Sequence, residues 1–157
     1  MILVAIVFLG AYSYARVCSF GPVSSTLPGQ PVKDPATGLY TVYVLVLGHR
    51  DLTAAHTDLH ANIHVDSVSV YYTSPGPQSD GHRWEGFGKS VDVTLRITGG
   101  SLSSPLVSTF ALWSVAIGAS WGQVVTFNLP AGLYTVTAAG VDQGGYQSSA
   151  SLTLGLQ

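Results

Sequence analysis

Charge is scarce in this chain: 9% of its 157 residues are Asp, Glu, Lys or Arg, against roughly 25% in an average soluble domain. An ordinary cytosolic enzyme does not have that composition. Six basic and eight acidic residues leave a net charge of −2, so there is no positive footprint for a nucleic-acid backbone. Intrinsic disorder is excluded as well, because 46% of the residues are hydrophobic and disordered chains combine low hydrophobicity with high net charge. A single cysteine, Cys18, rules out an intrachain disulfide framework. Its neighbours Val17 and Phe20 are apolar, so it reads as a small buried hydrophobe. Neither asparagine, Asn62 or Asn128, opens an Asn-x-Ser/Thr sequon, which excludes N-glycosylation of that kind. Walker A and Gly-x-Gly-x-x-Gly patterns are missing too. The reading is of a protein that is not an enzyme, with no catalytic residues and no cofactor.

The few charges are unevenly spread. Twelve of the fourteen lie between Lys33 and Arg96, and the 61 residues after Arg96 hold only Asp142. Polarity there comes from Ser, Thr, Gln and Gly, with 18 Ser and 13 Thr in the whole chain. A surface of that kind opposes association only weakly. It suits a subunit that packs against copies of itself.

What is present divides the chain in three. Residues 1–20, MILVAIVFLGAYSYARVCSF, hold 16 apolar residues and one charge, Arg16. A helix of that length spans roughly 30 Å, the thickness of a bilayer core, and Gly21-Pro22 ends it. The same run also fits a strand donated to a neighbour, since Ile and Val favour strands. A secretory signal would need a basic leader region, which this run lacks. Residues 21–38 hold prolines 22, 28, 31 and 35 and read as an extended connection.

Residues 39–157 read as strand throughout. Leu39–Leu47 is LYTVYVLVL, and in Ser90–Thr98 Val91, Val93, Leu95 and Ile97 alternate with Asp92, Thr94, Arg96 and Thr98. Val65–Tyr72, Thr109–Ile117, Gln123–Leu129, Leu133–Val141 and Ser149–Leu156 bring the number to about seven. Turn residues such as Gly99-Gly100 and Pro130-Ala131-Gly132 separate them. The expected fold is mostly β, an antiparallel sandwich. The stretch around Gly132-Leu133-Tyr134 resembles the last strands of immunoglobulin-like domains, with Tyr134 placed for a tyrosine corner.

Several patterns compete for a functional role. His56, His60 and His64 stand at i, i+4 and i+8 with Asp58 and Asp66 between and after them and His49 upstream. On one helix they would share a face and could hold zinc or copper. However, Ile63-His64-Val65 is strand-like and no HExxH glutamate is present, so a polar loop is favoured and no metal is assigned. Gly-His-Arg occurs at 48–50 and 81–83 in expected loops, and Trp84, Phe87, Trp113 and Trp121 suit core or subunit contacts. Ser101, Ser103, Ser104, Ser108 and Thr109 are candidate O-glycosylation positions in a Ser-rich loop.

An apolar N-terminal run without a basic leader, a Gly/Pro break and a charge-poor Ser/Thr/Gly-rich sandwich together resemble a mature archaeal type IV pilin. The resemblance is architectural and spans the chain. It implies a structural subunit of an extracellular helical filament that serves surface adhesion and polymerises with many copies of itself. Ile2, Leu3, Val4, Ile6, Val7, Phe8, Leu9 and Tyr12 would form the filament core, and the sandwich its outer wall. It also implies a prepilin peptidase and an assembly machinery as partners, insertion in the cytoplasmic membrane before assembly, and no nucleic acid. Ala5 stands where bacterial relatives carry Glu. Two alternatives remain at this stage: a donor-strand pilus subunit in which residues 1–10 complete a neighbour's sheet, and a membrane-anchored immunoglobulin-like binding module.

Overall fold

A computed structural model describes residues 23–26, 29–51, 62–76, 89–114, 120–142, 145 and 147–157. They form eight strands: β1 (Val23–Thr26), β2 (Tyr40–Asp51), β3 (Asn62–Tyr71), β4 (Lys89–Gly99), β5 (Leu106–Ser114), β6 (Ser120–Leu129), β7 (Gly132–Asp142) and β8 (Gln147–Leu156). Two four-stranded sheets result, ordered β1-β3-β2-β6 and β5-β4-β7-β8. Among the described residues there is no helix, so none is long and apolar enough to cross a membrane. The helix expected over residues 1–20 lies outside the described residues, and so does Cys18.

Alternation in the sequence becomes the two faces of a strand. In β4, Val91, Val93, Leu95 and Ile97 are buried while Asp92, Thr94 and Arg96 are exposed. β7 follows the same rule with Tyr134, Val136 and Ala138 inward. β2 contributes Val42, Val44 and Val46 from the other sheet, and β3 adds Val65, Val68 and Val70. All belong to one buried cluster, so the sheets share a single core. Its layers are aliphatic and tightly alternating, as expected of a sandwich.

Three sequence expectations are corrected. The strands number eight because Val23–Thr26, inside the expected connection 21–38, forms β1. β1 is also not antiparallel: it pairs in parallel with β3, from Val23↔Ser67 to Thr26↔Val70. Its four residues reach the uncovered edge of β3, where backbone donors and acceptors need partners. Finally, β5 begins at Leu106, which places Ser108 and Thr109 in a strand and leaves only residues 101–105 as the turn segment before it. The rest of 29–39 is not featureless either. Asp34 accepts hydrogen bonds from the Ala36 N–H (2.9 Å) and the Thr37 hydroxyl (2.7 Å), and the Gly38 N–H closes the turn on the Asp34 carbonyl at 2.8 Å. These bonds hold its carboxyl below the usual carboxylate range, the Thr37 bond contributing most.

One end of the sandwich is fixed by Tyr134. Its hydroxyl donates to the Pro130 carbonyl at 2.9 Å, forming the corner expected from the sequence. The ring lies where a side chain on Gly100 would have to go, and Gly100 has φ +58°, so only glycine fits this turn without strain. The Gly100 N–H donates to the Leu133 carbonyl at 2.8 Å and joins the two turns.

Candidate functional site

The outer faces of the two sheets differ, and the difference follows from sequence. β4, β5, β7 and β8 turn Thr94, Thr109, Thr135, Ser149, Ser151 and Thr153 to solvent. Registers place them in rows such as Thr109, Thr94, Ala139 and Ser149. Asp92 and Arg96, both on β4, are the exposed charges in the middle of that face. By contrast the outer face of β2 is mostly apolar beyond the exposed Thr41, and Leu45, which alternation places on that face, is only 4% exposed. Ser67 and Ser69 beside it are buried as well. Gly122 on β6 makes room for this arrangement: a Cβ there would lie 2.7 Å from Leu47 Cδ2 and 3.0 Å from Leu45 Cδ1. A strand covered on both faces reads as a nearly continuous apolar run, and LYTVYVLVL fits this around Leu45, with Thr41 exposed and Tyr43 and Leu47 half-buried on the outer face.

Among the described residues the four outermost strands carry no charge. β1, β5, β6 and β8 are VSST, LVSTFALWS, SWGQVVTFNL and QSSASLTLGL, without a charged residue or a proline. Natural edge strands are commonly blunted by those two devices to prevent pairing with another chain. Exposed Val107 and Leu133 add apolar area to the second sheet. What this surface can do chemically is pair and pack, through main-chain hydrogen bonds and neutral side chains.

The other candidates are placed as follows. Ile2, Leu3, Val4, Ile6, Val7, Phe8, Leu9 and Tyr12 lie outside the described residues, as do His56, His60, Trp84, Phe87 and the Gly-His-Arg at 81–83. The Gly-His-Arg at 48–50 is not in a loop, because β2 runs through it to Asp51. His64 lies in β3, so a helical i, i+4, i+8 row ending at His64 does not form. Strand geometry sends successive residues to opposite faces. Ser101, Ser103 and Ser104 are exposed before β5, Thr109 is exposed on it, and Ser108 is half-buried. Among the described residues no group of three or more His, Cys, Asp or Glu could hold a metal ion.

The register makes a juxtaposition that linear spacing hides. Leu47 pairs with Ser67 but Gly48 pairs with Val65, so Asp66 is the extra residue of a bulge. Past it, His49 stands opposite His64 on β3 and opposite Ser120 on β6. Ser120 also belongs to Gly118-Ala119-Ser120-Trp121-Gly122, a Gly-x-Ser-x-Gly spelling. A nucleophile elbow requires a strand-to-helix turn at that serine, whereas Ser120 opens β6. The Val65 N–H at the bulge donates to Ser148 Oγ at 2.8 Å and ties the two sheets together. The chain matches no family model, no curated protein and no solved structure.

Proposed function

We propose that this chain is the structural subunit of an extracellular filament of the archaeal type IV pilus kind, polymerising through residues 1–20 and serving adhesion. The observation that carries the reading is the absence of charge and proline from every described edge strand. A monomer with three such edges of nine or ten residues would pair with its neighbours. For a polymer the same feature is useful. The Ser/Thr outer face of the second sheet supports it, since it can lie against copies without charge repulsion.

An immunoglobulin-like reading of the sandwich rests on the second sheet. Its order β5-β4-β7-β8 corresponds to the C′-C-F-G order of variable-type domains, and the tyrosine corner sits on the strand equivalent to F. In the first sheet β3 lies beside β2 on the side that strand A takes in that family, although it follows β2 in the chain, and β1 lies outside it. The likeness is therefore to one sheet and its corner.

β1 bears on a second reading, the donor-strand subunit in which residues 1–10 complete a neighbour's sheet. It is a four-residue strand added in parallel to a sheet edge directly after the apolar run, which is how an exchangeable strand would be attached. Electron microscopy of material sheared from cells tests both. Filaments with residues 1–20 helical at the axis support the first reading, strands shared between subunits support the second, and a detergent-soluble monomer without filaments defeats both.

A further inference from the structure

β5 is the most apolar of the four outermost strands. It pairs with β4 without a bulge from Lys89↔Ser114 to Ile97↔Leu106, and among the described strands none pairs with its other side. Val107 is 54% exposed on its outer face, where Thr109 and Ala111 are exposed too. On its inner face Leu106 and Phe110 are only half-buried against the core. The same holds for Val125 and Phe127 on β6, the edge of the first sheet that lies against β5. This side of the sandwich therefore offers an unpaired backbone edge together with apolar area that a neighbour would cover.

The charges on the outer face select the neighbour. Asp92 and Arg96 flank Thr94 on β4, and the register sets Asp92 opposite Ala111, Thr94 opposite Thr109 and Arg96 opposite Val107. A two-fold axis through Thr109 sets β5 antiparallel to β5 of a second copy, with Val107 opposite Ala111, Leu106 opposite Leu112, and Phe110 opposite the smaller Ser108. Each outward row beside the axis then holds Arg96 of one copy and Asp92 of the other, three strand spacings or roughly 14 Å apart. An axis through Val107 would put Arg96 in one row with Arg96, and an axis through Ala111 would put Asp92 with Asp92. Like-charge repulsion opposes both. We infer that β5 is a self-association surface occupied by a second copy of this chain, joined antiparallel about Thr109 into one eight-stranded sheet. The inference does not depend on the filament reading, because the joint uses β4, β5 and β6 and none of residues 1–20. It leaves β8 as the open edge of the sheet.

The test uses the full-length chain in dodecyl maltoside micelles with Cys18→Ser, so that every thiol is an introduced one. Thr109→Cys sets two thiols directly opposite, with Cβ atoms roughly 4.5–5.5 Å apart, and mild oxidation gives a covalent dimer as the main product. Val107→Cys alone gives none, since it lies roughly 14 Å along the strands from its own copy, too far for a disulfide. A mixture of Val107→Cys and Ala111→Cys proteins gives the mixed dimer. In sedimentation without oxidant, Asp92→Arg weakens the dimer by about threefold or more at low salt, and adding Arg96→Asp restores it. Val107→Lys, a charge placed on the edge, abolishes it, whereas Ser149→Lys with Ser151→Lys on β8 leaves it unchanged. Circular dichroism of each variant confirms the fold. A monomer with no Thr109→Cys cross-link overturns the inference, as does cross-linking through Val107→Cys alone or a dimer lost only with the β8 lysines.

Discussion

Tyr134 shows how much one residue can determine at a turn. It is 1% exposed, its hydroxyl is bonded to the Pro130 carbonyl, and its ring leaves no room for a side chain at Gly100. Tyr134→Phe keeps the ring and removes one hydrogen bond, so it should cost about 1 kcal/mol in urea unfolding. Gly100→Ala should cost more, above about 2 kcal/mol, because it adds a left-handed backbone penalty to a collision with the ring. The double variant should lose less than the sum, since both changes act on one contact. Asp34 makes a different kind of prediction. Its carboxyl is held below the ordinary range by Thr37 and the Ala36 N–H. A depressed folded-state value means that the turn is favoured above the unfolded value and loosens as pH falls through the folded one. The Ala36 amide followed by NMR should therefore shift with a midpoint below 3.8, the ordinary value. Thr37→Ala should raise that midpoint.

At the scale of the element, β4 and β2 show the two ways in which a strand is written. β4 alternates because one face is core and the other wet. β2 is apolar at nearly every position, and although Thr41 is exposed and Tyr43 and Leu47 are half-buried on its outer face, the outward Leu45 is buried like the inward valines. Both patterns were legible in sequence, since alternation and its absence are properties of neighbouring residues. β1 was not legible, because VSST has no strong pattern and its pairing depends on a vacant edge 44 residues further on, Val23 meeting Ser67. The His49 and His64 juxtaposition was hidden for a related reason: one extra residue at the bulge decides it. β8 is the edge to test. Ser149 and Ser151 are exposed on it, and Ser149→Lys with Ser151→Lys should reduce polymer yield in sedimentation. The thermal midpoint should stay within a few degrees, as exposed substitutions usually change stability by less than about 0.5 kcal/mol.

For the whole molecule, charge distribution is the organising fact. The charges outside residues 33–96 are Arg16 and Asp142 alone, one in the apolar N-terminal run and one at the end of β7, so the run and strands β5 to β8 carry a single charge each. If the run of residues 1–20 is the joint of a polymer, a single charge in it should be decisive. Val7→Asp should abolish filaments in electron microscopy, because an unpaired carboxylate in an apolar bundle is strongly disfavoured. Circular dichroism of the variant should keep the β signal, since the described core draws only on residues from Tyr40 onward.

The sequence by itself determined seven of the eight strands, the inward residues of β4 and β7, the tyrosine corner and the neutrality of the surface. Each of these is a local matter of period, turn chemistry or composition. Only the tertiary structure decided the order of the strands, the parallel addition of β1, the bulge at Asp66 and the histidine pair that it brings into register. These are settled by hydrogen bonds between segments far apart in the chain, and a shift of one residue in such a ladder changes the face on which every later side chain lies.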